Sequence, residues 1–539
     1  MPSITYSKFD IGLDRRKGAS VSEANRLQEL QNAFVNSGRV IEKRPGLIKL
    51  GTLETGTFGL ISGGGYLNTF FSGTAIVHSD TTFLANRIEH PTVTSGVTIT
   101  DVLMGDVFSG YLYVSVKFSD GTTWHFYLDA DAAWVASTAY SVGDFVEPIT
   151  LNGYRYEVTA IAGTGTSDAA EPTWPTVVGD TVVDNPGANQ ITWTCRSKSI
   201  ADENCPHSDV FSKQESRMFA PDGDVVRYCA LNEPRDWTTS SDAGFMATGL
   251  KAKGSENAIG IGTYGGKMAV FMQDGMQLWS LDTAVANIVF DNQVEGAGTL
   301  WSRSIREFSG DILYLAKAGV RSITTQYAVQ DNLQEVDVGS PIDSIIKAGI
   351  TDADNPMAAY FNGAGQYWLV NPGNGITTVY PYSFSRTEKI AAWSEYLYGK
   401  EFTDVTVHDG HLCLRSGDDV YKVDESGAIY SDDGESYEML VKFPYLDFKL
   451  PGITKYISSF DCVVEGEVEV YFNYLLKDEN GDQQEYQSTS LILKGDTRVE
   501  QSIPMEMTLT SIAPVFKSTS TEKVRIDSIT FHYEPLGVV

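Results

Sequence analysis

The sequence predicts a mainly β protein assembled from repeated hairpins. Three observations carry this: 50 glycines in 539 residues, an aromatic content of 11%, and alternating strand-like runs set between Gly or Asp-Gly turns. With 42% hydrophobic residues, the chain can bury a sizeable core.

Residues 1–51 stand apart. Ser20 and Glu23 have capping-box spacing, and Leu27, Leu30 and Phe34 recur at helical intervals, so the pattern predicts a helix from about Ser22 to Val35. A lone helix of ~14 residues is marginal in water, so its apolar face needs a partner. An extended arm follows, bearing Arg39, Lys43 and Arg44 and ending in the Pro45-Gly46 turn. The arm is expected to reach out as an assembly device. Glu at Arg39, Lys43 and Arg44 is then expected to leave the melting temperature nearly unchanged, because exposed charges contribute little to stability.

Residues 52–131 and 199–430 repeat one phrase: a Gly turn, a strand, a second turn and a second strand. Gly110–Phe118 leads through Asp120-Gly121 to Trp124–Leu128, and Gly266–Met272 through Asp274-Gly275 to Met276–Trp279. Similar phrases begin at Gly310, Gly365 and Gly410. Degenerate hairpins at intervals of tens of residues predict a β-propeller, with a sandwich or a string of barrels as alternatives. Residues 132–198 interrupt the repeat with a Thr-, Pro-, Gly- and Trp-rich stretch that reads as an inserted small β module. Residues 431–539 carry longer β-branched strands, such as 467–472 and 524–531, and suggest a C-terminal antiparallel sandwich-like domain.

The net charge of −30 argues against gripping nucleic acid or anionic lipid, since Arg15-Arg16-Lys17 is the one basic run. Five scattered cysteines without a CxxC pair read as reduced, buried thiols. No signal peptide is evident at the start, and no apolar run approaches the ~18 residues of a membrane helix, so synthesis in a cytosol is expected.

Chemistry is scarce. The sequence has no G-x-S-x-G elbow and no P-loop. Gly260 to Gly265 matches G-x-G-x-x-G but lacks a following helix, so a connecting loop is the preferred reading. His408 and His411 flank an Asp-Gly turn and lack a nearby third ligand. Ser119 to Trp124 is a solitary near miss to a sialidase Asp-box. No catalytic residue, metal or cofactor is assigned, and the chain is read as not an enzyme.

The segment Gly12–Gly18, followed by Asn32-Ala33-Phe34 and Glu42–Leu47, resembles the opening of podovirus tail nozzle proteins, also called tail tubular protein B. Leu13-Asp14-Arg15 departs from the Gly-Ile-Ser frequent in relatives. The resemblance implies a structural virion protein in a ring, expected to be a homohexamer, below the tail adaptor and in company with tail fibres or spikes. Genomic DNA would pass its channel during ejection without specific binding, which an acidic wall favours. The implied location is the virion tail, assembled in the host bacterial cytoplasm without membrane insertion. Arg39, Lys43, Arg44 and Pro45 would meet a protein neighbour.

The insert resembles a chitinase-type carbohydrate-binding module through Trp134, Tyr140–Val146, Asn152–Val158, Glu171–Pro175 and Trp193-Thr194-Cys195. Tyr140 and Trp174 are the candidate glycan-stacking rings; alternatively, all these aromatics form the module's own core. Two rival classes remain: a host-surface glycan-binding adhesin or fibre component, and a propeller glycosidase.

Overall fold

The computed structural model describes residues 2–73, 76, 81–92, 96–239, 242–252, 256–328, 337–477 and 483–537. Its building unit is a hairpin turned by two successive residues of positive φ, as at Ser109 (47°) and Gly110 (90°), and at Asp409 (49°) and Gly410 (82°). This left-handed pair matches the twist of the flanking strands, and glycine adopts it without a Cβ clash. The protein is mainly β, divided among many small sheets.

The chain divides into two compact units: Gly51–Ser302, and Met1–Leu50 joined with Arg303–Val539. In the first unit, Phe58–Gly63, Tyr66–Phe71 and Phe83–Arg87 form one sheet, and Ile99–Phe108, Tyr111–Phe118 and Thr123–Tyr127 a second. Four-stranded sheets follow over 212–246 and 260–295. Each sheet packs its face on the next: Phe70 and Val114 share one core, Tyr113 and Met218 a second, Phe219 and Met268 a third. The first two sheets press close together: a Cβ on Gly63 would lie 2.5 Å from Leu112, and one on Gly105 2.7 Å from Ile61. Gly260–Tyr264 is a strand paired with Lys267–Phe271, so the G-x-G-x-x-G spacing marks a hairpin and not a connecting loop.

In the second unit, small sheets form over 306–322, 357–398 and 404–423. Leu47–Thr52, from near the start of the chain, adds the outer strand beside Asp419–Val423. The C-terminal strands Thr454–Lys477, Leu491–Leu509, Ser511–Ser518 and Arg525–Gly537 lie in one ten-stranded sheet. That sheet also takes Ser3–Tyr6, Glu29–Gln31, Ala33–Val35 and Ile41–Lys43 from the N-terminus.

The helix expected over Ser22–Val35 is therefore corrected: residues 26–35 hold three short strands. Glu29–Gln31 pairs with Lys442–Leu440, and Ala33–Val35 with Lys43–Ile41, so the backbone bonds go to other strands. Asn32, at φ 51°, breaks any helical path between them. Ser20 caps nothing; Ser22 instead donates its hydroxyl to the Lys17 and Gly18 carbonyls. Leu27 and Leu30 are buried, but tertiary pairing overrides the local propensity.

Among the described residues, no helix is long and apolar enough to cross a membrane. All five cysteines are buried and outside any disulfide among the described residues, and burial pushes the thiols of Cys195, Cys229 and Cys413 up to about 12.

Candidate glycan and assembly sites

The inserted module is built on the antiparallel strands Phe145–Val146, Arg155–Ile161, Ile191–Arg196 and Thr181–Asp184. Alternation along the strands turns Tyr156, Val158, Ile191 and Trp193 into a core of the module's own. Buried Asp184 organises that core. One carboxylate oxygen accepts the indole N–H of Trp134 (2.9 Å) and of Trp193 (3.2 Å), and the other accepts the Asp168 amide (2.9 Å). At the module's base, Arg155 pairs with Asp131 at 2.8 Å and lies 3.8 Å from the Phe145 ring. Burial shifts both partners toward neutrality, raising Asp131 and lowering Arg155.

The two candidate stacking rings join this core. Trp174 lies over Tyr156, centroids 4.2 Å apart, and donates its indole N–H to Glu171 Oε1 at 2.9 Å. Tyr140 sets its ring edge-on to Trp193 at 5.0 Å, and its hydroxyl accepts the Val135 amide at 2.9 Å. Burial holds the Tyr140 phenol above its ordinary value. Both rings are half-buried, so part of each is committed to packing.

The module's surface is unusually apolar. Of 20 exposed large hydrophobic residues among those described, seven lie within 133–197, with Leu151 at 72% and Ile149 at 63% exposure. Glu171 also accepts the Ile149 amide at 2.7 Å, which ties this surface to Trp174. A cavity of about 570 Å³ opens between residues 151–154 of the module and residues 84–87 of the first sheet. Arg87 crosses the seam, 4.8 Å from the Tyr154 ring, and a Cβ on Gly153 would lie 2.5 Å from Arg87 Cβ. Sequence reasoning missed these residues. Asn152-Gly153 carries a turn signal, but nothing local to it points to Arg87.

The assembly arm is placed differently from the expectation. Lys43 and Arg44 are fully buried inside the second unit. Arg44 makes a two-toothed pair with Asp432 (2.9 and 2.6 Å) and donates to Asn32 Oδ1 (3.0 Å) and the Pro45 carbonyl (3.1 Å). Its guanidinium stacks between the rings of Tyr437 (3.7 Å) and Tyr398 (4.0 Å). Burial opposes its charge, but Tyr398 and Asp432 more than offset this and raise its pKa. Asn32 serves three further partners: the Leu397 amide, the Glu438 carbonyl and, through its own amide, the Glu395 carbonyl. Lys43 donates to the carbonyls of Tyr437 and Ser520, and burial, then Arg44, pushes it down to about 8. Pro45 precedes Gly46, where the backbone passes so close to Ser431 that a Cβ would meet its carbonyl at 2.1 Å. Of the four arm residues, Arg39 and Pro45 retain partial exposure. The outward basic patch is thus corrected to an internal clamp.

His408 and His411 face each other across their hairpin, and His411 lies 3.3 Å from Glu425. Among the described residues, no group of three His, Cys, Asp or Glu side chains could hold a metal ion. In the Asp-box near miss, Asp120 accepts the Thr122 amide at 3.0 Å, so that turn is held locally.

No family model and no curated protein matches the chain. Among solved structures, it is similar to the Pan2 WD40 domain of Neurospora crassa (8% identity, 60% of this chain and 88% of that one, TM-score 0.26). It is also similar to PorZ, a surface component of the type-IX secretion system of Porphyromonas gingivalis (11%, 81% and 59%, TM-score 0.29). A third is an exo-β-1,3-galactanase from Phanerochaete chrysosporium (11%, 79% and 95%, TM-score 0.17). Likeness at these TM-scores carries no argument about function.

Proposed function

We propose that this chain is a structural subunit of a short-tailed phage tail, a nozzle protein whose small sheets are blades of a β-propeller. The observation that carries the reading is the place of the segment that resembles nozzle proteins. Strands drawn from residues 12–52 complete three separate sheets of the second unit, so the resemblance falls on framework and not on a loose tail. Sheets stacked face to face, and one completed by the distant strand Leu47–Thr52, support the propeller. The subunit would form a ring below the adaptor, its acidic charge of −30 letting DNA slide past. Electron microscopy of the purified chain, alone and with particles, tests this: rings at the distal tail are expected, and slender trimers or a lasting monomer would defeat it. The role is non-enzymatic, and release of oligosaccharide from host polysaccharide would defeat that part.

A second reading, a host-surface glycan-binding adhesin, draws on the exposed apolar surface of the inserted module.

A further inference from the structure

We propose that the cavity between the inserted module and the first sheet binds a neutral saccharide, in place of a surface platform formed by Tyr140 and Trp174. The inference rests on the second reading above, that the module contacts glycan. At about 570 Å³ the cavity falls in the ~300–1,000 Å³ range of small-molecule sites.

Its walls divide into two kinds. Phe71, Leu84, Leu128 and Leu151 supply apolar surface, and Leu84 and Leu151 are 44% and 72% exposed. An apolar side chain so open to water, beside a cavity, suits a ligand with a C–H face to cover it. The polar lining is ordered but not exhausted. Asn86 donates through Nδ2 to Asn68 and neighbouring carbonyls, while its Oδ1 accepts no bond among the described residues. Asn152 spends Oδ1 on the Tyr154 amide and Nδ2 on the Tyr156 hydroxyl, leaving a lone pair and a hydrogen unused. Arg87 is held by Glu89 through Nε (2.9 Å), leaving its terminal N–H groups available. Held side chains with spare donors and acceptors are what hydroxyl recognition requires, since little conformational entropy is lost on binding.

Charge narrows the ligand class. Each charged side chain in the lining is already paired: Arg87 with Glu89, Lys198 with Glu147, and Asp129 with Arg235. A phosphate or carboxylate would find no uncompensated cation among these pairs, so its own charge would go unbalanced in the cavity. A neutral sugar offers hydroxyls to the leftover bonds and an apolar face to the leucines, with no charge to compensate.

The test is isothermal titration of the full chain with maltotriose, cellotriose and triacetylchitotriose, with sialyllactose as the charged control. The variants are Ala85→Trp, which places a ring in the cavity, and Leu151→Asp at its mouth. Trp174→Phe serves as the platform variant, and far-UV melting checks folding. The expected result is saturable binding of at least one neutral trisaccharide that weakens about tenfold or more in both cavity variants. Trp174→Phe should bind as the parent does. Binding lost in Trp174→Phe but kept in the cavity variants overturns the cavity while glycan contact stands. Absence of binding to every neutral probe overturns both, and equal or tighter binding of sialyllactose overturns the neutral ligand class.

Discussion

The inserted module and the N-terminal arm were both singled out as contact surfaces, and their structures run in opposite directions. The arm carries three cations in an acidic chain, and two of them are fully buried. The module carries an aromatic set suited to stacking, and those rings largely build its own core, while the exposed residues are aliphatic. Burial inverts the naive reading because a small module must spend its aromatics on a core before it can display them. A buried guanidinium, once paired and ring-stacked, can tie strands from distant parts of the sequence.

The strongest way to break this comparison is to attack the clamp. Arg44→Glu places a second carboxylate beside buried Asp432 and removes five hydrogen bonds; they run to Asn32, Pro45, Leu397 and the two Asp432 oxygens. It should cost about 3–5 kcal/mol, the usual penalty for breaking a buried pair. Arg44→Lys keeps the charge but loses the planar fork, so an intermediate loss is expected. Urea unfolding checks both, and a loss as small as that of a surface charge would mean the clamp contributes nothing.

Next in size is Asp184→Asn in the module. Asn keeps one acceptor oxygen where the carboxylate has two, so its NH2 must face either the two indole N–H groups or the Asp168 amide, and about 1–3 kcal/mol should be lost. The effect should stay local. Limited proteolysis should cut within 133–197 first and leave the rest intact, whereas uniform cleavage would show that the module is not energetically separate.

Lys43 gives a smaller, pH-dependent effect. Its pKa is pushed from 10.5 down to about 8, chiefly by burial. Between those values the unfolded chain holds the proton and the folded chain releases it, so stability rises with pH through this window. Against Lys43→Met, which does not titrate, the parent should gain about 2–3 kcal/mol from pH 8 to 10.5. A flat difference across paired denaturation curves would mean that Lys43 stays charged in the fold.

How much of this could be read from residues depends on how local the cause is. Asp-Gly and Gly turns are self-contained, so the hairpins at 111–127, 267–280 and 411–423 coincide with strands that the alternation marks. The N-terminal strands are not self-contained. Leu27, Leu30 and Phe34 keep helical spacing because strands of two or three residues, stepped around Asn32, return apolar residues to the core at similar intervals. Likewise, Arg39, Lys43 and Arg44 read as an exposed patch because Asp432 and Tyr437 lie almost 400 residues away in the chain. The aromatics of the module were legible as a set, but their division into core and surface depends on Asp184 and Glu171, whose roles no spacing signals.

The smallest effect expected is also the most discriminating. Arg39 is the one arm cation with partial exposure, donating through Nε to the Glu388 carbonyl at 2.8 Å. Its backbone sits at φ 60°, where Glu is as strained as Arg, so Arg39→Glu changes charge without changing backbone strain. Stability should therefore move by no more than about 0.5 kcal/mol. Replacing all three cations at once, by contrast, would unfold the second unit through Arg44 and say nothing about assembly. Arg39→Glu alone separates the two questions. If the arm meets a neighbouring subunit or the adaptor, sedimentation of this variant should reveal weaker rings, more so at low salt, where like charges are least screened. Normal rings at every ionic strength would place the subunit contacts elsewhere on the chain, and a large fall in melting temperature would mean that Arg39, like its neighbours, belongs to the clamp.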